Sequence, residues 1–596
     1  MGETGNVLKP NSRLARLFAK SELAEVAAAF CLPGGHPLYL AGEPADTLYF
    51  LRAGRLAVFH HAKGEEPQLL GVIRPGEPVG EMALIAATPH TADVVALRDS
   101  EVLAIPRAAF FSAVNKAPAL MTELARVMVL HVRSGRDSGP PGGPAVFAAI
   151  GLSAAVDVRR VAHMVEEAAQ ALGFALAVVG AEAVQQPIDW FSALEEAHDF
   201  VLYVAEADEA AWTRVCARQA DRLLLIARGD VKPPRAPPPL IDEAARQGRV
   251  MDLVLEHPAN SERPTRSGAW LDALKIGGQL YHVRRGDKAD CARLARMITG
   301  TSVGVVLSGG GARAYAHIGA LRALHDAKVP IDLIGGTSMG AIIGAGLAAG
   351  WTDQEIDARI RDAFVASSPL SDIAFPMISL SRGERVVGRL AQHFGDLDIV
   401  DFWRPYFAVS SNLTTGAYQL HRRGLVREAL RASSALPGLL PPVETKDGVL
   451  VDGAVLGNFP TEIMRAWHRG PVVGVDVSQS RGLTAEDIRT PPSILHWLLS
   501  GEWKKGPPIV SVLIRSATVS SARDLESARQ AADLLITPPT NGVELRDWRA
   551  YTPAVESGYR ATMAALEKLD RPVIDLRARR TLALKQGDRS LTTPPH

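Results

Sequence analysis

Two glycine-rich turns most constrain what this chain can fold into, because each stands between a short apolar run and a helical run. The first, Gly309-Gly310-Gly311, follows "GVVLS", and the second, "GGTSMG", follows "IDLI". A strand, a tight turn and a helix in that order form the repeating unit of a sheet covered by helices. Further apolar runs follow, among them "FAVSSN", "GVLVDG", "PVVGVDVS" and "DLLITP". We therefore predict an α/β fold, with a central sheet covered by helices, for residues 300–570.

The second turn fits the pattern G-x-S-x-G, with Ser338 between Gly336 and Gly340. In so sharp a turn a bulky side chain at either glycine would collide with neighbouring backbone. The serine Oγ would then stand exposed at the edge of the sheet beside a helix N-terminus, which is the position of a nucleophile. The pentapeptide alone fits equally well a tight turn in which the serine only caps the helix.

Three consecutive glycines in the first turn leave their amide N–H groups unobstructed and able to converge on an anion. That anion could be the oxyanion of a tetrahedral intermediate or a phosphate. Dinucleotide binding requires G-x-G-x-x-G, but Ala314 stands at the sixth position. A second glycine-rich turn carrying a serine follows only about 25 residues later. We therefore favour an oxyanion hole.

Two kinds of residue could accept the proton of such a nucleophile, a histidine or an aspartate. An α/β-hydrolase needs a histidine after the acid, but His468 and His496 lie in "MRAWHRG" and "SILHWLL", which read as helical or apolar segments. Asp452 fits better, because "GVLVDGAVLGNFP" runs from an apolar strand directly into Asp-Gly-Ala. A partly desolvated carboxylate there can accept the proton of Ser338. The same residues also fit an ordinary Asp-Gly turn.

Four blocks of this segment resemble the patatin-like phospholipase family. They are G-G-G-x-R at 309–313, G-x-S-x-G at 336–340, "RASSALPGLLPP" at 431–442 and D-G-A at 452–454. That family uses a Ser–Asp dyad without histidine. The resemblance implies Ser338 as nucleophile, Asp452 as base and an oxyanion hole at Gly309, Gly310 and Gly311. It also implies that Arg313 steadies that loop or a lipid phosphate; a surface ion pair is the alternative for this arginine.

Residues 1–135 read as short β runs followed by helices. Ala53-Gly54 separates two apolar runs and predicts a hairpin. "PLYLAGEPADTLYFLRAGRLAVF" and "VGEMALIAATPHTADVVA" resemble a cyclic-nucleotide-binding domain, which implies a β-roll. Gly80 and Glu81 match its phosphate-binding block, but His90 stands at the position of the arginine. We therefore expect weak or no cyclic-nucleotide binding, and a structural or dimer-forming role for this domain.

Helical and strand-like runs alternate in residues 145–295, which predicts an α/β intermediate region with a parallel sheet and no catalytic constellation. "SGRDSGPPGGP", residues 134–144, reads as a linker, and residues 571–596 read as a tail. The order of β-roll, intermediate region and patatin-like domain resembles the neuropathy target esterase group of lysophospholipases.

Composition excludes some classes of function. Lys+Arg and Asp+Glu both number 65, which gives no electrostatic case for binding nucleic acid. Three widely spaced cysteines favour a reducing compartment over a disulfide framework or zinc site. No signal peptide or long apolar run is evident, so we expect a cytoplasmic protein that touches membranes peripherally. No metal or other cofactor is implied.

These observations predict a serine esterase that hydrolyses acyl esters of phospholipids or lysophospholipids. Two alternatives stay open at this point. One is a regulatory or scaffolding protein with a cyclic-nucleotide-sensing domain and little hydrolase activity. The other is an esterase acting on soluble acyl substrates.

Overall fold

A computed structural model describes residues 17, 23–60, 68–73, 75–134, 145–246, 249–366, 372–374, 378–478, 524–540, 542–544 and 547–577. The chain forms two compact units. The first consists of Met1–Glu256, Trp270–Gln279 and Arg285–Thr299, and the second of His257–Ala269, Leu280–Arg284 and Gly300–His596. No helix among these described residues is long and apolar enough to cross a bilayer.

The first unit begins with a β-roll of two antiparallel four-stranded sheets, in the orders β1-β8-β3-β6 and β2-β7-β4-β5. Alternating buried and exposed residues along these strands form apolar clusters inside the roll. The strands are β1 (Ala28–Leu32), β2 (Pro37–Tyr39), β3 (Thr47–Ala53), β4 (Leu56–His60), β5 (Gln68–Ile73), β6 (Pro78–Val79), β7 (Asp93–Ala96) and β8 (Ser100–Pro106). The helices are α1 (Leu23–Val26), α2 (Glu81–Ala86), α3 (Arg107–Lys116) and α4 (Ala119–Ser134).

The hairpin predicted at Ala53-Gly54 is wrong. β3 pairs with β6 and β8, whereas β4 pairs with β5 and β7, so the two strands lie in different sheets. Gly54 has a φ of +98°, and a Cβ there would lie 2.5 Å from the Cα of Ser100. The glycine therefore permits a close crossing of the chain from one sheet to the other, rather than a turn within one sheet.

The α/β part of the first unit contains five parallel strands in the order β10-β11-β9-β12-β13. The predicted alternation of helices and parallel strands is confirmed. The strands are β9 (Val146–Gly151), β10 (Leu176–Val179), β11 (Phe200–Ala205), β12 (Arg222–Arg228) and β13 (Met251–His257). The helices are α5 (Val158–Ala171), α6 (Ile188–Ala197), α7 (Ala210–Gln219), α8 (Pro239–Arg246), α9 (Ser267–Leu274) and α10 (Lys288–Thr299). The first three residues of α9 and the strand β14 (Leu280–Arg284) belong to the second unit.

Buried ion pairs connect the β-roll to this α/β part within the first unit. Arg98, in the turn between β7 and β8, is buried and donates to both carboxylate oxygens of Glu195 on α6. Arg55 donates to Asp221 with an Nη1–Oδ2 distance of 2.6 Å. Because a buried charge without a partner is costly, these pairs require the two parts to remain in contact.

The second unit contains an eight-stranded sheet in the order β19-β20-β17-β16-β15-β21-β22, with β18 also paired to β17. β15, β16, β17, β21 and β22 run parallel, and β18, β19 and β20 are antiparallel to their neighbours. The strands are β15 (Gly304–Leu307), β16 (Leu333–Thr337), β17 (Tyr406–Asn412), β18 (Ala417–His421), β19 (Val443–Thr445), β20 (Gly448–Asp452), β21 (Val472–Val475) and β22 (Leu534–Ile536).

Helices cover this sheet, as predicted, and a continuous apolar core lies between sheet and helices. The helices are α11 (Tyr315–Asp326), α12 (Ser338–Ala348), α13 (Asp353–Ile360), α14 (Glu384–Phe394), α15 (Val426–Ser433), α16 (Thr461–Trp467) and α17 (Tyr551–Glu567). α11 and α17 approach closely through two glycines: a Cβ on Gly319 would lie 1.8 Å from a carbonyl oxygen of α17, and a Cβ on Gly558 equally near one of α11.

Candidate active site

Strand pairing brings Asp452 next to Ser338, although the two residues are 114 positions apart in sequence. β16 pairs with the first half of β17 and β20 with the second half, while β18 overlaps both halves. β16 and β20 must therefore share one edge of β17, opposite β18. Thr337 pairs with Val409, and Asp452 pairs with the next residue, Ser410. The end of β20 therefore lies beside the point at which β16 ends and Ser338 begins α12.

Ser338 occupies a strained turn between β16 and α12. Its φ is +56°, in the left-handed region, which costs a residue with a side chain about 1–3 kcal/mol. A Cβ on Gly340 would lie 2.5 Å from the carbonyl oxygens of both Leu307 and Ser308, and one on Gly336 would lie 2.9 Å from that of Leu307. The backbone of the neighbouring strand thus explains both glycines, and the turn presents the Ser338 side chain at the end of the sheet.

The hydroxyl of Ser338 donates a hydrogen bond to Asp452, with an Oγ–Oδ2 distance of 2.6 Å. The other carboxylate oxygen accepts the backbone N–H of Ala454 at 2.8 Å. Asp452 is only 2% exposed. Burial raises the pKa of Asp452 to about 7, although its two hydrogen bonds partly oppose that shift. A carboxylate with such a pKa can take up and release a proton near neutral pH.

Ser433 supports the strained turn from the end of α15. Its buried hydroxyl accepts the backbone N–H of Ser338 at 2.9 Å and donates to the carbonyl of Val409 at 2.6 Å. That N–H is in the first turn of α12, where no carbonyl of the helix can accept it. Because Ser433 occupies it, the amide of Ser338 is not available to an oxyanion.

The triple-glycine loop between β15 and α11 lies against the same turn. A Cβ on Gly309 would be 3.2 Å from the Cβ of Ser338. The amide of Gly309 already donates to the carbonyl of Asn458 at 3.1 Å, whereas the amides of Gly310 and Gly311 have no acceptor among the described residues. The geometry therefore restricts the candidate oxyanion donors to Gly310 and Gly311.

The guanidinium of Arg313 forms no ion pair with a carboxylate among the described residues. Its Nε donates to the carbonyl of Val543 at 3.0 Å, and burial lowers its pKa. Of the roles considered for it, steadying the loop agrees best with this contact.

The alternative base His468 lies elsewhere in the unit. It is buried, and its Nε2 is 2.6 Å from the carbonyl oxygen of Ser302, just before β15 begins. Ser338 follows the end of β16, and β15 and β16 are parallel, so the two sites are at opposite ends of the sheet. Burial also lowers the pKa of His468 to about 4. His496 lies outside the described residues.

Three family models match successive parts of the chain. They are described as a cyclic nucleotide-binding domain at residues 30–117, a Neuropathy Target Esterase family P-loop like domain at 178–300 and a patatin-like phospholipase at 305–465. A protein of Mycobacterium tuberculosis described as an uncharacterised NTE family protein is 32% identical over 556 residues, which cover 90% of this chain and 91% of the relative. The chain belongs to the NTE family.

Longer members of the family match in part. Patatin-like phospholipase domain-containing protein 6 of Homo sapiens is 28% identical, over 88% of this chain and 43% of the human protein. The neuropathy target esterase of Drosophila melanogaster is 27% identical, over 89% of this chain and 42% of its own. The NTE family chain is therefore a carboxylic ester hydrolase, with an N-terminal β-roll and a C-terminal patatin-like domain.

In its nucleotide-binding-like domain, His90 stands at the position where the phosphate-binding block has its arginine. Gly80, with a φ of +81°, begins the short α2, and the side chain of Glu81 is buried. His90 stacks on Tyr39 with ring centroids 3.6 Å apart, and burial lowers its pKa. A stacked imidazole with a lowered pKa does not reproduce the permanent charge and the two-pronged donor of an arginine, so this position fits a cyclic phosphate poorly.

The helix that follows β9, α5, precedes the residues 178–300 that the P-loop-like model matches, and protein side chains fill its N-terminus. A P-loop binds phosphate at such a helix N-terminus. At the start of α5 the carboxylate of Glu206 accepts the N–H of Val158 at 3.4 Å and that of Arg159 at 3.1 Å, and Asp157 caps the N–H of Arg160. Protein carboxylates therefore occupy this end of the helix.

Sequence reasoning missed two residues of the candidate site, Ser433 and Asn458. Ser433 lies within "RASSALPGLLPP", a block that resembles the family but whose residues have no role implied by that resemblance. Asn458 follows Asp452 by six positions in "GVLVDGAVLGNFP". Only the fold shows that both contact backbone groups of the two glycine-rich turns.

Proposed function

We propose that this NTE family chain hydrolyses acyl ester bonds of phospholipids or lysophospholipids through a Ser338–Asp452 dyad. The observation that carries the proposal is the 2.6 Å hydrogen bond from a strained serine to a buried carboxylate whose pKa is about 7. An adjacent base is what activates a serine hydroxyl, and its pKa works best near the operating pH.

In the proposed reaction, Ser338 Oγ attacks the ester carbonyl while its proton moves to Asp452 Oδ2. The amides of Gly310 and Gly311 stabilise the oxyanion. Asp452 then returns the proton to the leaving alcohol oxygen, and an acyl ester remains on Ser338. Water attacks that ester, its proton passes to Asp452, and the fatty acid leaves as the proton returns to Ser338 Oγ.

Exposed apolar side chains near this edge of the sheet support a lipid substrate and peripheral contact with a membrane. β17 continues three residues beyond its pairing with β16, so the connection to β18 extends past the level of Ser338. Leu413 in this connection and Tyr418 on β18 are 56% and 54% exposed, and Val449 on the adjoining β20 is 37% exposed. Large apolar side chains grouped at one end of a sheet suit contact with lipid.

The test is hydrolysis of a panel of phospholipids and lysophospholipids by wild type, Ser338→Ala, Asp452→Asn and the double variant. Each single variant should lose nearly all activity, and the double variant should be little worse, because members of one catalytic unit are not additive. Asp447→Asn, the same chemical change on an exposed turn of the same hairpin, is the matched control and should remain active.

A fluorophosphonate probe should label wild type and fail to label Ser338→Ala. A folded Asp452→Asn variant that keeps more than about a tenth of the wild-type rate would remove Asp452 as base. Equal rates on micellar and monomeric esters would favour the alternative of a soluble acyl substrate.

A further inference from the structure

The oxyanion donors depend on the orientation of peptide planes in a loop made only of glycines. A glycine peptide can rotate at little cost, because no side chain restricts φ and ψ. In a trans peptide the C=O of one residue and the N–H of the next lie in one plane and point in opposite directions. Whatever holds the carbonyl of Gly309 therefore also sets the direction of the Gly310 N–H.

The carbonyls of Ser308, Gly309 and Gly310 each have a donor. The carbonyl of Ser308 lies 2.8 Å from Nε2 of the buried His317, which must carry the proton because a carbonyl only accepts. The carbonyl of Gly309 accepts from Nδ2 of Asn458 at 3.3 Å, and that of Gly310 accepts from the N–H of Arg313 at 3.2 Å. The Gly309–Gly310 peptide is thus held by a side-chain amide.

Asn458 holds Gly309 from both directions. Besides its side-chain bond to the Gly309 carbonyl, its own carbonyl accepts the Gly309 N–H at 3.1 Å. The backbone bond survives any substitution at position 458, but the side-chain bond does not. Asn458 follows Asp452 by six positions, so one short segment carries both the proposed base and the side chain that orients the glycine loop.

We propose that Asn458 is a positioning residue for ester hydrolysis. Its side-chain amide holds the Gly309–Gly310 peptide so that the Gly310 N–H remains directed at the developing oxyanion. This inference rests on the proposed oxyanion hole, but not on the proposed lipid substrate, so its test uses a soluble chromogenic p-nitrophenyl ester.

Asn458→Asp is the sharpest variant, because it keeps the shape of the side chain and replaces the donor with an oxygen. That oxygen repels the Gly309 carbonyl and favours the rotated peptide, in which the Gly310 N–H turns towards the carboxylate. Loss of one oxyanion donor lowers kcat by about 10²–10³-fold. We expect a fall of that order, with KM within about threefold of wild type. Asn458→Ala removes the donor without adding an oxygen that repels the Gly309 carbonyl. Its kcat should therefore fall less, by about 10–50-fold.

Asn412→Asp is the matched control. Asn412 is buried in this unit, whereas Asn458 is half-buried, and the Nδ2 of Asn412 likewise donates to a backbone carbonyl, that of Asp447 at 2.9 Å. Its side chain makes no hydrogen bond to either glycine-rich turn in the described structure, so its variant reports the general cost of this substitution. Thermal unfolding of all variants separates lost stability from lost kcat, and Asn458→Ser provides a second variant if the aspartate does not fold.

Three results would support the proposal together: kcat falls in Asn458→Ala, phosphonylation by the fluorophosphonate slows in parallel, and the acid limb of the pH–rate profile stays where it is in wild type. A purely structural role would move stability without this pattern. A folded Asn458→Ala with kcat within threefold of wild type, or a loss no larger than that of Asn412→Asp, would overturn it. Activity in Ser338→Ala would instead refute the proposed dyad.

Discussion

Asp452→Asn should inactivate the enzyme and at the same time stabilise it. In the folded chain burial raises the pKa of Asp452 from 3.8 to about 7. Each unit of difference between folded and unfolded pKa corresponds to about 1.36 kcal/mol. Three units therefore amount to about 4 kcal/mol by which an ionised Asp452 destabilises the fold. Asparagine has a similar shape but carries no charge to bury.

The direction of the pH dependence follows from proton binding. Between about pH 4 and 7 the folded chain keeps the proton on Asp452, whereas the unfolded chain has released it. The unfolded state binds fewer protons in this window, so stability falls as pH rises and then levels off above the folded pKa. The gain from Asp452→Asn should therefore approach about 4 kcal/mol at pH 8 and be less than half of that at pH 5, where only about one unit of the shift is expressed.

Thermal or urea unfolding at pH 5 and pH 8 measures this gain, with Asp447→Asn as the control. Asp447 lies exposed in the turn before β20, so its replacement should change stability little at either pH. The reasoning fails if Asp452→Asn is no more stable than wild type at pH 8. It fails equally if the gain is the same at both values, because the cause would then not be a buried charge.

Three further outcomes are expected. The rate of ester hydrolysis should rise with pH through a midpoint near 7, because Asp452 must be ionised to accept the proton; a pH–rate profile with no acid limb above pH 6 would contradict this. Calorimetry should detect at most weak binding of cAMP or cGMP, improved about 10–100-fold by His90→Arg, and micromolar affinity of the wild type at pH 7.5 would refute it. Vesicle binding should depend weakly on salt, because the proposed contact is apolar, and release of the protein between low and moderate salt would count against that.

The residues of the proposed dyad could be found from sequence because each carries a local signal. A strained turn needs small neighbours, so Gly336 and Gly340 mark Ser338. Asp452 is marked by the apolar strand before it and Gly453 after it. Their proximity could not be read in the same way, because it depends on β16 and β20 sharing one edge of β17. That arrangement is a property of strand pairing across 114 residues and leaves no local pattern.

The hairpin was wrongly predicted at Ala53-Gly54, and the hydrogen bond of the Gly309 amide was not predicted, for the same reason. A glycine between apolar runs indicates that the backbone turns or passes close to something, but not what the partner is. Gly54 passes close to the backbone of Ser100, at the start of β8, and the amide of Gly309 donates to Asn458. Periodicity predicted the parallel sheet correctly because burial on both faces of a strand is visible in every residue of the run.

A serine hydrolase usually relies on an imidazole, because its pKa of about 6.5 allows it to accept and return a proton near neutral pH. Here burial brings a carboxylate into the same range, since the pKa of Asp452 rises to about 7. In the proposed dyad a histidine is then unnecessary as a proton acceptor, because Asp452 Oδ2 already lies 2.6 Å from Ser338 Oγ. The same desolvation that gives the aspartate this pKa is what destabilises the folded chain at high pH. The raised pKa of Asp452 and the lower stability of the folded chain at high pH therefore have one cause, the burial of its charge. A substitution that removes this charge to gain stability also removes the proposed proton acceptor.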